Sequence, residues 1–208
     1  MDVGKGLLWP PIGRQLNGDA MGITQCVKRA NQHNHHGRAS IFGSRTRRWG
    51  EFAARVARLA GGLRFLGVES GDRIAILSLN SDHYLEIYVA VPWAGAVVVP
   101  LNIRWSPREN IYALNDSGAK VLLVDDTFGK QAASIRVETP SVRVIIHMGD
   151  AAAPAGMTSY EHLIEGSVPI SANIGRRREA CLGGRDHGLE ARIVAEGIEI
   201  GIGLCVVK

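Results

Sequence analysis

Short apolar runs alternating with helical periodicity organise the middle of the chain. RIAIL (residues 73–77) and AVVVP (96–100) are rich in branched side chains and bounded by Gly71-Asp72 and by Pro100, the pattern of strands covered on both faces. Between them, Ser81 or Asn80 is placed to cap a helix in which Leu85, Tyr88 and Val89 share one stripe, and Gly95 marks its stop. These pieces predict a βαβ unit. Pro92 falls inside the helix, where the missing N–H and a crowded preceding turn cost about 3 kcal/mol, so a kink or an early end is expected.

The same reading extends in both directions. Residues 22–30 suit a short helix, followed by the polar stretch NQHNHHG (31–37) and then by ASIF, Gly43-Ser44 and TRRW, which read as a hairpin about a tight turn. Phe52, Val56, Leu59, Ala60, Leu63 and Leu66 recur at helical spacing, with Arg55 and Arg58 off that stripe and Gly67 as a left-handed cap. Ser106-Pro107-Arg108-Glu109 is a capping box with proline at the first helical position, which turns Ile111 and Leu114 to the core until Gly118. KVLLVDD (120–126) and VRVIIHM (142–148) supply two more buried strands, with weaker helices at 128–135 and 159–164. Strands alternating with helices predict an α/β fold, a layered and mostly parallel sheet flanked by helices.

Three stretches follow from these patterns: a loose leader at 1–20, rich in Gly and Pro; a folded unit at 21–171; and a divergent tail at 172–208. In the tail, GRRREACLGGRDHGLEARIVAEG shows neither a clean helical face nor strand alternation. After it Ile198, Ile200, Ile202, Leu204 and Val206 alternate strictly, as in an edge strand.

Composition narrows the function classes. With 208 residues, 46% of them hydrophobic and 21% charged, the chain can bury its own core, and its 25 glycines point to many turns or a loose segment. Net charge is +4, with 18 basic against 15 acidic residues up to Ile174 and 6 against 5 beyond it. That spread excess argues against a nucleic-acid partner, which calls for a concentrated basic face. Cys26, Cys181 and Cys205 show no pairing pattern, which fits a reducing cytoplasm. Pro10 and Pro11 interrupt the only apolar run near the start, and no stretch reaches the ~20 apolar residues of a membrane span. Asn115-Asp116-Ser117 matches a glycosylation sequon, read as accidental without export.

Several longer pieces resemble one family. WGEFAARVARLAGGLRFLGVESGDRIAILSLNS, AGAVVVPLNIRWSP, ENIYALNDSGAKVLLVD and SYEHLI stand in the order found in the N-terminal region of AMP-forming acyl-CoA synthetases, over roughly residues 21–170. Arg48 stands where the family usually has threonine, and Pro92 in a helix that normally lacks it. The resemblance implies a ligase in which a fatty or other carboxylate attacks the α-phosphate of ATP to give an acyl-adenylate and pyrophosphate. Coenzyme A thiol then displaces AMP, and Mg²⁺ assists the first step.

In the family the phosphate-gripping groups come from a Ser/Thr/Gly-rich loop ending in Lys-Gly, a later Thr-Glu pair, an Asp and an Arg for the ribose, and a lysine in a separate C-terminal domain. Where that loop should begin, this chain has Arg176-Arg177-Arg178-Glu179. The expectation is therefore a truncated or frame-shifted N-terminal fragment without ligase activity, with no catalytic, cofactor-binding or metal residue assigned and no cofactor bound. Asn102 and Arg104 help to fix their loop in the whole enzyme. The alternative is a non-enzymatic module that associates with itself or with a full-length synthetase.

Other constellations read as structure. Gly43 to Arg48 contains glycine, hydroxyls and cations, the ingredients of a phosphate cradle, but precedes no phosphate-facing helix and reads as a hairpin turn with solvated arginines. Asp125 and Asp126 end a strand where a carboxylate could meet a ribose or Mg²⁺, yet SLNSD after the first strand is no glycine-rich turn, so turn and cap duty is expected. His33, His35 and His36, with Cys26 nearby, fit no standard zinc spacing and read as an exposed polar loop. The run Arg176 to Arg178 reads as a solvated tail.

Overall fold

The computed structural model describes residues 23–172, 188–195 and 198–205. The elements are α1 (Ile23–His33), β1 (Arg38–Phe42), β2 (Arg45–Arg48), α2 (Trp49–Phe65), β3 (Arg73–Leu77), α3 (Asp82–Trp93), β4 (Val97–Pro100), α4 (Pro107–Ser117), β5 (Val121–Val124), α5 (Gly129–Ile135), β6 (Val144–His147), β7 (Thr158–Ser159), α6 (Tyr160–Glu165), β8 (Gly188–Ala195) and β9 (Ile198–Cys205). The leader, Arg176 to Arg178 and Cys181 lie outside the described residues.

β4-β3-β5-β6-β7 form one sheet in that order, and every pairing is parallel. The expected layered α/β architecture is therefore present. Strand alternation divides the core in two. Ile74, Ile76, Val121, Leu123 and Ile146 pack with Phe52, Val56, Leu59, Leu63 and Ile87 beneath α1, α2, α3 and α6. Ala75, Leu77, Leu122, Val124 and Ile145 turn to the other face and meet Leu114, Ala132 and Ile135 of α4 and α5. Two covered faces explain why these strands are continuous apolar runs, since exposing either row would waste about 1.5–3 kcal/mol per large side chain.

Local signals act as expected at most boundaries. Ser81 Oγ accepts from Tyr84 N at the start of α3, and the Ser106–Glu109 capping box is complete at α4, which ends at Gly118 with φ 60°. The helix containing Pro92 ends one residue beyond it, so the hydrogen bond that proline cannot give to the Tyr88 carbonyl is lost only in the last turn. At β4, Val97 N donates to Asp72 O and Leu101 N to Ile76 O. Val98 and Pro100 therefore turn their backbone nitrogens away from β3.

Three expectations are corrected. The first helix continues through Asn31, Gln32 and His33 instead of stopping near Ala30. Helix α3 buries far more than one stripe: Asp82, His83 and Glu86 are as enclosed as Val89 and Val91, because the helix lies between the sheet, α2 and the β1–β2 hairpin. Finally, part of the stretch read as patternless forms β8, which pairs antiparallel with β9. Apart from these, Gly61 and Gly62 serve close packing: a Cβ at Gly61 would lie 2.0 Å from the Val168 carbonyl oxygen and one at Gly62 2.7 Å from Leu163 Cγ.

Candidate functional site: a charged cleft at the carboxyl end of the sheet

The chain leaves β3 for β4 on one side and returns past it to β5 on the other, which makes the β3–β5 boundary the switch point where open α/β sheets commonly take ligands. Here that crevice is closed by Asp125. Its Oδ2 accepts from Leu79 N (2.8 Å) and Ser78 Oγ (3.1 Å), and its Oδ1 from Thr127 N (2.9 Å) and Phe128 N (3.2 Å). Asp126 accepts from the amide of Asp150 at 2.9 Å and lies 3.0 Å from His147 Nε2. Asp125 thus closes the turn after β5, and Asp126 braces the loop after β6; neither caps a helix with its side chain.

Beside this point lies an open cleft of about 790 Å³ whose walls include Arg45, Arg47, Arg55, His83, His147 and Glu161. Strand alternation places Arg45 and Arg47 on the inward face of β2 while Thr46 and Arg48 face out. One turn and a half along α2, Arg55 enters the same space. Asp82 and Glu86, four residues apart on α3, meet them from below, a spacing that puts both carboxylates on one helical face.

The groups satisfy one another. Arg45 grips Asp82 with Nη2 at 2.9 Å and Nε at 3.1 Å and also pairs with Asp150. Arg47 Nη1 donates to Glu51 at 2.8 Å, while its Nε sits 3.0 Å from Glu86 Oε1 as an ion pair without a directed hydrogen bond. Arg55 is bidentate twice, to Glu86 (2.7 and 3.0 Å) and to Glu161 (2.7 and 2.8 Å), and the Tyr160 hydroxyl donates to Glu86 at 2.8 Å. Of the hairpin arginines expected to be solvated, Arg45 and Arg47 are therefore inward and paired while Arg48 faces out; Arg55, off the apolar stripe, has a side chain only 14% exposed.

This enclosure shifts the titrations. His83 hydrogen-bonding and Arg55 pairing hold the Glu161 carboxyl far below its usual range, overriding burial. Burial would raise Asp82, but Arg45 and its neighbours pull it down. Burial would lower His83, but Glu161, the Met148 carbonyl, Asp82 and Glu86 together raise it. Tyr160 is driven well up, chiefly by burial and then by the Glu86 charge.

The donor set does not fit a triphosphate with its Mg²⁺. Asp125 is fully engaged by the chain itself, the arginines already hold carboxylates, and among the described residues no three His, Cys, Asp or Glu side chains converge as a cation site. His33, His35 and His36 are exposed, with His35 Nδ1 2.8 Å from Asn31 Oδ1. Asn102 Oδ1 accepts from Arg104 N at 2.9 Å and its carbonyl from Trp105 N at 3.0 Å, which pins the loop after β4. Asp82, His83, Glu86, Tyr160 and Glu161 were not singled out from the sequence. The available signal was charge at i, i+4 on a helix otherwise apolar, opposite arginines at i, i+2 on a strand.

Residues 27–174 match the family described as AMP-binding enzyme. The chain belongs to that family. It is similar to a long-chain-fatty-acid–CoA ligase of Thermus thermophilus, 43% identical over 134 residues, or 64% of this chain and 24% of the ligase. A feruloyl-CoA synthase of an Amycolatopsis species is 47% identical over 97 residues, 47% of this chain and 20% of the synthase. The chain thus spans about a quarter of the length of the curated relatives it matches. In fold it is similar to an anthranilate CoA ligase in complex with anthranoyl-AMP (TM-score 0.71, 22% identity, 86% of this chain and 34% of that one). A benzoate CoA ligase from Burkholderia xenovorans gives TM-score 0.66 at 21% identity, over 74% and 30% of the two chains.

Proposed function

We propose that this chain supplies the N-terminal scaffold of an AMP-forming acyl-CoA synthetase, and that the 208 residues do not activate a carboxylate by themselves. The family match over residues 27–174 carries the first half of the reading. Its relatives act on fatty and on aromatic acids by name, so the reaction class is carboxylate activation with ATP followed by transfer to coenzyme A. The second half is supported by the cleft, whose cations are already matched by carboxylates and leave no free grip for phosphate. Asn102 and Arg104 hold a loop and are not catalytic. We place the protein in the cytoplasm, on its cysteine pattern.

Carboxylate-dependent exchange of pyrophosphate into ATP tests this reading with the purified 208-residue chain. No exchange above background is expected with fatty or aromatic acids, and robust turnover overturns it.

A second reading is an association module, favoured by apolar side chains left in solvent: Phe65 is 87% exposed, Val168 78% and Ile41 61%. Concentration-dependent self-association, or capture of a full-length synthetase, without turnover selects it.

A further inference from the structure

The geometry points to a proton-dependent latch: His83 is held as an imidazolium between α3 and α6, and its deprotonation loosens the α6 wall of the charged cleft. The ring is buried, with 4% of the residue exposed. Its Nδ1 lies 2.8 Å from the Met148 carbonyl oxygen, and its Nε2 lies 3.3 Å from Glu161 Oε1. Both partners are obligate acceptors. A backbone carbonyl has no proton to give, and the Glu161 carboxylate is ionised, since both of its oxygens accept from Arg55.

A neutral imidazole carries one N–H. With the proton on Nδ1, the Nε2 lone pair faces a carboxylate; with it on Nε2, the Nδ1 lone pair faces a carbonyl. Either tautomer sets a lone pair of the buried ring against an acceptor at one of the two contacts, and only the doubly protonated ring satisfies both.

The surrounding charges agree. His83 faces Asp82 and Glu86 from its own helix, Tyr160 and Glu161 from α6, Arg55 from α2, Arg45 and Arg47 from β2, and the Met148 carbonyl after β6, with His147 on the same cleft wall. The ion pairs of this cluster join three arginines to five carboxylates, Glu51, Asp82, Glu86, Asp150 and Glu161, so the site carries a negative excess that an imidazolium reduces. The upward direction of the His83 titration follows from that field.

The sign of the effect follows. A histidine raised in the folded state holds its contact fully below its ordinary value of 6.5 and loses it as pH rises through the folded value. Glu161, depressed, stays ionised across that range, so His83 alone sets the upper limit. Tyr160–Glu86 and Arg55–Glu161 remain after deprotonation, which confines the change to local opening of Ser159 to Ile164.

Imidazole nitrogen NMR on the full 208-residue chain, with amide hydrogen exchange over Tyr160–Glu165 across the same pH series, tests the latch. At about pH 6 both His83 nitrogens should be protonated. Exchange in α6, corrected for its intrinsic pH dependence, should accelerate about tenfold for each unit by which the folded titration exceeds the free one. His83→Gln keeps a donor but cannot titrate, so its α6 exchange should lose the pH dependence. If that variant fails to fold, the wild-type titration decides alone. A single neutral tautomer at pH 6, or α6 exchange that does not follow the His83 titration, overturns the proposal.

Discussion

Arg55 and Glu86 meet through two hydrogen bonds, 2.7 Å from Nε and 3.0 Å from Nη2, although thirty-one residues separate them and the Glu86 side chain is wholly removed from water. The pair joins α2 to α3 across the floor of the cleft. Because desolvation of two charges nearly cancels their attraction, its energetic signature lies in what happens when one partner is left alone.

Arg55→Met should therefore destabilise the protein by about 3–5 kcal/mol, since Glu86 then keeps only Tyr160 and the undirected contact from Arg47. The double variant Arg55→Met/Glu86→Leu should lose clearly less. Urea denaturation of the wild type, both single variants and the double variant measures the difference, and a double variant as unstable as the two single effects summed would contradict it.

Acid should weaken the fold through Glu161 and Asp82. Both carboxyls are depressed in the folded state, so their contribution is complete above the ordinary values of 4.5 and 3.8 and is lost as pH falls through the lower folded ones. The urea midpoint should fall as pH drops below about 4.5, and Glu161→Gln should flatten that slope.

Asp125 ties the end of β5 to the end of β3. Asp125→Ala removes an acceptor of four hydrogen bonds and should cost about 2–3 kcal/mol, with the loss concentrated in hydrogen exchange of Leu79, Thr127 and Phe128. Asp125→Asn, which keeps one acceptor oxygen, should recover part of it.

Gly61→Ala tests close approach. The added methyl would meet a backbone carbonyl at 2.0 Å, which no rotamer change relieves, and the segment after α6 must shift. A loss of about 1–3 kcal/mol is expected despite the better helix propensity of alanine, visible as a lower thermal midpoint.

The strands and the main helices were legible because one physical demand, burial on both faces, writes itself into RIAIL, VLLV and VIIH as short apolar runs rich in branched residues. Caps were legible for the same reason, since Ser81, Ser106 and Gly118 answer local hydrogen-bonding needs. The cleft was not. Arg45, Arg47 and Arg55 look solvated when charge is read locally, and apart from Glu51 beside Arg47 their partners lie 31 to 106 residues away along the chain. Nothing within a short window distinguishes an arginine bound for water from one bound for a buried carboxylate, and the matching of Asp82 with Glu86 appears only once α3 is known to be enclosed. The two-residue strand β7 was missed as well, because Thr158 and Ser159 carry no apolar signature.

Pro100 offers a last lesson. The run Val97 to Val99 is apolar backbone of the kind another molecule's β-segment pairs with, but along this border of the sheet proline leaves Val98 as the lone outward amide donor in four residues. A foreign strand trying to zip on finds a gap where its second bond should form, so the ring works as a guard against fibril-like growth along this apolar border.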